Sequence, residues 1–179
     1  VYNGVPIRDH EEYGLLTFSQ VIEQSSNVGT IKITELLPVQ SFYQYIKKFG
    51  FGNETDINLP GESKGFIRDP QNWSRISPGV ISMGQEISVT ALQLAMAYSA
   101  IANGGYLLRP KIVQQIMGHN GKIMENNNSK VLRRVASLKT MKTLKNILVK
   151  TVKMGTGSSA EIPGRNIAGK TGTAEKFID

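Results

Sequence analysis

The spacing of apolar and polar positions predicts a mainly helical region in residues 1–104. A further helix from about 88 to 102 is apolar on nearly all sides, so we expect it to be buried. Residues 51–83 are dense in Gly, Pro, Asn and Asp and predict mainly loop. Apolar residues recur at helical spacing in three earlier segments: 18–24, 28–37 and 39–49.

The pattern changes after residue 104. Residues 105–136 predict strands, with Asn120-Gly121 as the turn of a β-hairpin. Residues 137–155 predict an amphipathic helix whose lysines lie mostly away from its apolar face. A last strand is expected in 164–179. We find no internal repeat and no domain boundary, so the 179 residues are expected to form one unit of α+β class.

The charge balance is basic, with 21 Lys or Arg against 14 Asp or Glu and a formal net charge of +7. Between Glu125 and Glu161 there are eight basic residues and no acidic ones. No aromatic residue lies among them to stack on bases, so we favour a solvated helix face and predict no nucleic-acid partner. A weak attraction to anionic glycan or lipid surfaces is the remaining alternative.

The residue types that bind metals are sparse. There is no cysteine, which excludes disulfides and thiolate chemistry. His10 and His119 are far apart in sequence and fall in predicted loops, so surface positions are favoured over a metal site. We predict no metal and no cofactor. No apolar run approaches the ~18–20 residues that would span a bilayer.

Two glycine-rich matches carry no function. Residues 164–171 fit the pattern of a phosphate-binding loop, Gly-x-x-x-x-Gly-Lys-Thr, but no apolar strand precedes them and no helix can begin at the lysine. Residues 155–160 imitate a dinucleotide fingerprint, but they follow a predicted helix and not a strand. Neither nucleotide hydrolysis nor dinucleotide binding is predicted.

The most informative stretch is Ala168-Gly169-Lys170-Thr171-Gly172-Thr173-Ala174-Glu175. Its glycines remove side-chain bulk, so that a ligand can approach the backbone closely. Lys170 supplies a cation, and in an alternating strand Thr171 and Thr173 place two hydroxyls on one face. Such a strand suits an extended peptide that ends in a carboxylate and adds to the sheet edge.

A second motif, Ser25-Ser26-Asn27, lies at a predicted junction between two helices. Ser-x-Asn and Lys-Thr-Gly are two of three motifs of penicillin-binding proteins and serine β-lactamases. Leu59-Pro60-Gly61-Glu62 and Ser82-Met83-Gly84-Gln85-Glu86 lie between them in the chain. With these segments in this order, essentially all 179 residues resemble the transpeptidase domain of class B penicillin-binding proteins.

The resemblance implies part of a fold in which helices flank an antiparallel sheet, with a helical subdomain beside it. It implies a serine-type peptidoglycan D,D-transpeptidase. A serine attacks the D-Ala–D-Ala bond of a stem peptide, D-alanine leaves, and an amine of another stem takes the acyl group. β-Lactams would imitate the stem and leave a slowly hydrolysed acyl-enzyme. Other cell-wall synthesis proteins are implied as partners, at the extracytoplasmic face of the bacterial cytoplasmic membrane.

The resemblance also assigns roles to residues of this chain. Ser25 would relay a proton to the leaving amine, Asn27 would orient the substrate through its amide, and Lys170 would supply positive field. The backbone N–H of Thr173 would form half of an oxyanion hole. Substrate-binding roles are implied for a further group of positions: Ser26, Gln85, Thr171, Gly172 and Thr173.

The chain departs from the family in one motif. The family's nucleophile lies in Ser-x-x-Lys upstream of Ser-x-Asn, and the 179 residues contain no Ser-x-x-Lys. We therefore expect a partial domain, with the nucleophile, its lysine and a membrane anchor supplied elsewhere, that is inactive by itself. Two alternatives remain: a relative that hydrolyses or senses β-lactams, and a non-catalytic cell-wall scaffold. The motifs do not separate roles in elongation, septation and sporulation.

Overall fold

Six α-helices and six short strands form the part of the chain that the computed structural model describes, residues 1–172. The helices are α1 (Phe18–Glu23), α2 (Asn27–Thr34), α3 (Val39–Lys48), α4 (Ser77–Ser82), α5 (Ala91–Ala102) and α6 (Leu138–Met154). The strands are β1 (Phe66–Ile67), β2 (Ile87–Ser88), β3 (Tyr106–Leu108), β4 (Gln115–Met117), β5 (Ile123–Asn126) and β6 (Val131–Arg134). The predicted α+β class is confirmed.

The strands of residues 1–172 pair into three two-stranded antiparallel sheets: β1 with β2, β3 with β6, and β4 with β5. The β4–β5 pair is the hairpin predicted at Asn120-Gly121, where Gly121 has a φ of +73°. The predicted strand segment before this turn contains two strands, β3 and β4, which pair with different partners. Pro110 lies in the connector between them, where no ladder hydrogen bond is required of it.

Side-chain caps explain where several helices begin. Thr17 and Thr90 each form a reciprocal capping box with the glutamine three residues on, at the start of α1 and α5. Ser137 accepts a hydrogen bond from the backbone N–H of Thr140 and caps α6, which ends at Gly155 as predicted. The sequence therefore located α1 and α6 to within about one residue, and α5 to within about three residues at its start.

A buried apolar core lies where α5 packs on the β3–β6 pair. Its buried members are Met96, Ala100, Leu107 and Val135. A second contact joins α1 to α6, the basic helix, whose buried side includes Met141, Leu148 and Val152. Because α6 packs against both α1 and α5, its C-terminal end is brought close to the junction that follows α1.

Two predictions about elements were wrong, and one short helix was missed. Only one side of α5 is buried, and Leu94 on the other side is 45% exposed, because the helix packs on its neighbours along a single face. The segment 51–83 is mainly loop as predicted, and the short helix α4 within it was not predicted; its Pro78 fits the first helical turn since no backbone N–H is needed there. Residues 164–172 of the expected last strand pair with no strand in the described region. The remaining residues, 173–179, lie outside it.

No helix within residues 1–172 combines the length and the apolar character required to cross a bilayer.

Candidate active site

Ser25 occupies the sharp turn between α1 and α2. Its φ of +55° lies in the left-handed region, which a residue with a side chain rarely adopts and which costs about 1–3 kcal/mol. The backbone N–H of Ser25 donates to Ile22 O at 3.2 Å, so the turn is hydrogen-bonded back onto α1. Because strain of this kind is often found at functional sites, it makes Ser25 a candidate site residue.

Lys170 reaches this turn from the far end of the described chain. The backbone N–H of Gly169 donates to Leu148 O of α6 at 3.2 Å, and this contact fixes the segment against the helix. The Lys170 Nζ then donates to Ser25 Oγ at 2.6 Å and to Thr171 O at 3.0 Å. Gly169 is close to Val152 of α6, which a Cβ at that position would contact at 3.4 Å.

Burial lowers the pKa of the Lys170 ammonium below its ordinary value, because the charged form loses hydration. A lysine with a lowered pKa gives up its proton more readily than a free one. Held against a serine hydroxyl, such an amine can exchange protons with it. The Ser25–Lys170 pair therefore has the geometry and the acidity of a proton relay.

Asn27, the first residue of α2, lies on the same side of the turn. Its Nδ2 donates to Arg8 O at 3.3 Å. Ser25, Asn27, Lys170, Thr171 and Gly172 all line one open cleft of about 700 Å³. The structure thus brings five of the predicted site residues together from two distant parts of the chain.

Ser26 does not belong to the cleft, which corrects one predicted substrate contact. It is only 2% exposed, and its Oγ accepts from the backbone N–H of Gly29 at 2.9 Å to cap α2. The same hydroxyl donates to Asp9 Oδ2 at 2.7 Å. Both functions of the hydroxyl are structural, because the first turn of α2 has unpaired N–H groups that Ser26 satisfies.

Gln85 is also not among the residues that line the cleft. Its backbone N–H donates to Val80 O at 3.0 Å and closes the turn after α4. That turn presents Met83 and Gly84 to the cleft instead. Thr173, predicted to bind substrate and to supply an oxyanion N–H, lies outside the described residues.

Two residues that the sequence did not identify lie at the cleft. Thr156 shares a hydrogen bond with Thr171 between their Oγ1 atoms at 2.8 Å, and its backbone N–H donates to Glu23 O at 3.2 Å. It therefore connects the end of α1 with the Lys-Thr-Gly segment. The signal was Gly155-Thr156-Gly157, which was considered only as a nucleotide motif. His10, expected simply at the surface, also lines the cleft.

Comparison with known proteins gives one consistent result. The sequence profile described as "Penicillin binding protein transpeptidase domain" matches residues 1–179. Penicillin-binding protein PbpB of Mycolicibacterium smegmatis is 35% identical over 183 residues, a match to 97% of this chain and 28% of that protein. Stage V sporulation protein D of Bacillus subtilis is 34% identical over 93% of this chain and 26% of its own length.

A solved structure resembles the described fold closely. Penicillin binding protein 3 of Mycobacterium tuberculosis, complexed with aztreonam, superposes with a TM-score of 0.88 at 35% identity. The match covers 97% of this chain and 40% of that one. The present chain therefore spans about a quarter of the length of the two curated relatives named above.

Proposed function

The chain belongs to the family of penicillin-binding protein transpeptidase domains, and from this premise we propose that it supplies part of the active site of a peptidoglycan D,D-transpeptidase. The family resemblance inferred from Ser25-Ser26-Asn27 and Lys170-Thr171-Gly172 is confirmed by that match. The observation that carries the proposed activity is the 2.6 Å contact between Lys170 Nζ and Ser25 Oγ. It joins the two motifs at one point in space.

In the proposed reaction Ser25 and Lys170 move protons. The nucleophilic serine lies in a Ser-x-x-Lys segment, which residues 1–179 do not contain. As the D-Ala–D-Ala bond breaks, Ser25 passes a proton to the departing amine of D-alanine and is reprotonated through Lys170. Burial lowers the pKa of Lys170, so its ammonium gives up a proton more readily than that of an exposed lysine.

The other residues of the cleft orient the donor stem peptide. Asn27 offers a side-chain amide, which can both donate to and accept from a peptide backbone. Lys170 and Thr171 form the end of the cleft that suits the terminal carboxylate of the stem peptide. A cation and a hydroxyl bind a carboxylate by charge-assisted hydrogen bonds. A β-lactam carries a carboxylate in a similar place and would occupy the same end.

The substrates, inhibitors and cellular location follow from the same proposal. Peptidoglycan stem peptides are the substrates, β-lactams are the inhibitors, and the domain works at the extracytoplasmic face of the bacterial cytoplasmic membrane beside other cell-wall synthesis proteins. Residues 1–179 alone are inactive, because removing one member of a cooperating catalytic set leaves little of the chemistry. We call a protein that carries these residues together with a Ser-x-x-Lys segment the parent transpeptidase.

Intact mass after penicillin treatment tests the proposal. The parent transpeptidase is expected to gain one penicillin, and the 179-residue chain none. A parent that gains no penicillin would overturn the acyl-transfer function and favour a non-catalytic scaffold. Acylation of the 179-residue chain would show that a nucleophile lies within it. Slow loss of the adduct separates a transpeptidase from a β-lactam hydrolase, which would release it quickly.

A further inference from the structure

His10 lies at the cleft but has no role in the proposed formation of the acyl-enzyme from the donor stem peptide. It lines the 700 Å³ cleft together with Ser25, Asn27 and Lys170. It also lines a neighbouring open cavity of about 800 Å³, so the imidazole stands where the two spaces meet. His10 is the one residue that the two spaces share within residues 1–172.

The segment that carries His10 is fastened to the Ser25 turn through the two residues before the histidine. Asp9 accepts from Ser26 Oγ at 2.7 Å and from the backbone N–H of Val28 at 3.0 Å. Arg8 O accepts from the side chain of Asn27. Because Asp9 is directly before His10 and Arg8 lies one residue further back, these contacts place the backbone of His10 beside the catalytic turn.

Tyr13 orients the imidazole. The Tyr13 hydroxyl lies 2.9 Å from His10 Nε2, and the two rings meet edge to face with centroids 5.6 Å apart. In the tautomer whose Nε2–H donates to the Tyr13 oxygen, Nδ1 keeps a free lone pair. Burial, followed by the carboxylates of Glu11 and Asp9, raises the pKa of Tyr13, so its hydroxyl stays protonated at neutral pH.

The cleft and the neighbouring cavity carry side chains of opposite charge. Lys170 supplies a cation at the end that suits the donor carboxylate. Beyond His10 the neighbouring cavity is lined by three carboxylates, Asp9, Glu11 and Glu12, against one cation, Arg8. A negatively charged approach attracts a cationic ligand. The second substrate of a transpeptidase is an amine, which is largely an ammonium ion in water at neutral pH.

We propose that the cavity beyond His10 receives the acceptor amine and that His10 takes its proton. This inference depends on the proposed transpeptidase function and extends it to the acceptor side. An ammonium is no nucleophile, so a proton must leave before the amine can attack the acyl-enzyme. An imidazole held at the mouth of the cleft is suited to that transfer.

The step balances as follows. R–NH3⁺ gives one proton to His10 Nδ1, and the neutral amine attacks the ester carbonyl to form the new C–N bond. The ester C–O bond breaks, and the second amine proton passes through Ser25 to the serine oxygen that departs. Protonated His10 then releases its proton to water. The products are the amide, the free serine and one proton in solution.

The test measures how an acyl-enzyme is divided between amine and water. The parent transpeptidase is loaded with a thioester donor, and D-alaninamide, which carries an ammonium and no carboxylate, is the acceptor. The readout is the ratio of amide to acid product, which does not depend on how much acyl-enzyme forms. His10→Ala is compared with His119→Ala, the matched change of the other histidine, which lies on the exposed β4–β5 hairpin.

We expect His10→Ala to lower the ratio at least tenfold, since general base catalysis contributes about 10²–10⁴-fold. His119→Ala should leave it unchanged, and added imidazole should partly restore the His10→Ala enzyme. Tyr13→Phe, which removes only the orienting hydroxyl, should lower the ratio by a smaller factor. An unchanged ratio in His10→Ala, or a fall that imidazole does not rescue, overturns the inference. Failure of the natural parent to be acylated by penicillin would instead count against the proposed function.

Discussion

The amine of Lys170 lies 2.6 Å from the hydroxyl of Ser25, although the two residues are 145 positions apart in the chain. No long β-strand holds either side chain in place within the described residues. Ser25 is held by the turn between α1 and α2, and the residue before Lys170 is hydrogen-bonded to α6. Since α1 packs on α6, one helix contact determines the relation between both motifs.

Ser25 and Lys170 are therefore expected to act as a unit. In the parent transpeptidase, Ser25→Ala or Lys170→Ala should each slow acylation by penicillin about 10²–10⁴-fold, the range for a lost proton-transfer group. The double variant should be little slower than the worse single one, because either change already breaks the relay. The measurement is the second-order acylation rate constant of all four proteins.

Ser99→Ala is the control for that cycle, since Ser99 lies on the exposed side of α5, away from the cleft. Its rate constant should equal that of the natural protein. If the Ser25 and Lys170 effects instead multiplied in the double variant, the two residues would act independently and the relay would be wrong.

Alanine substitutions of the adjacent residues Ser25 and Ser26 are expected to affect different properties, catalysis for Ser25 and stability for Ser26. Ser26→Ala removes the cap of α2 and the hydrogen bond to Asp9, and should lower the free energy of unfolding by about 2 kcal/mol. Ser25→Ala should change it by less than about 0.5 kcal/mol while it abolishes the relay. Urea unfolding of the 179-residue variants checks the prediction. Equal losses of stability would mean that Ser25 is also structural.

Local signals in the sequence predicted much of the fold. Thr17, Thr90 and Ser137 each begin a helix as their types suggest, and Asn120-Gly121 makes the hairpin turn. These features depend on hydrogen bonds between residues a few positions apart, which a sequence pattern can represent. The turn at Ser25 was also predicted locally, because Ser25 lies between two segments with apolar residues at helical spacing.

Features that depend on long-range packing could not be predicted in the same way. The family resemblance implied a substrate contact for Ser26, yet its hydroxyl is buried against Asp9, 17 positions away, and caps α2. Thr156 lies in a glycine-rich segment that suggested only a nucleotide motif, and packing of α1 on α6 brings it to Thr171. His10 likewise gains its place at the cleft from the contacts of its neighbours with the Ser25 turn.

The lowered pKa of Lys170 predicts a pH dependence of stability. Between that lowered pKa and the ordinary value of 10.5, the unfolded chain binds a proton that the folded chain has lost. The free energy of unfolding therefore rises with pH in this window, and below it the folded state bears the full cost of the buried charge. Lys170→Met has no such cost.

The stability of the Lys170→Met variant minus that of the natural chain should accordingly fall as pH rises toward 10.5. Urea unfolding of both 179-residue chains at several alkaline pH values measures this difference, in which the other titrating groups cancel. The lost hydrogen bond to Ser25 adds only a constant offset. A difference that stays flat or grows with pH would show that burial does not lower the pKa of Lys170.

Gly155, at the end of α6, lets that helix approach α1 closely enough to form the cleft. A Cβ at this position would lie 2.2 Å from Glu23 O, a backbone atom two residues before Ser25. Gly155→Ala should therefore destabilise the chain by about 1–3 kcal/mol, the usual cost of overpacking. Because the relief must come from moving α1 or α6 apart, it should also slow penicillin acylation of the parent more than the stability loss explains. The control is Gly14→Ala, since no atom lies within 4 Å of the position that its Cβ would take.

A Gly155→Ala protein that is as stable and as reactive as the Gly14→Ala protein would contradict the prediction. It would show that the close approach of α1 and α6 does not position Ser25.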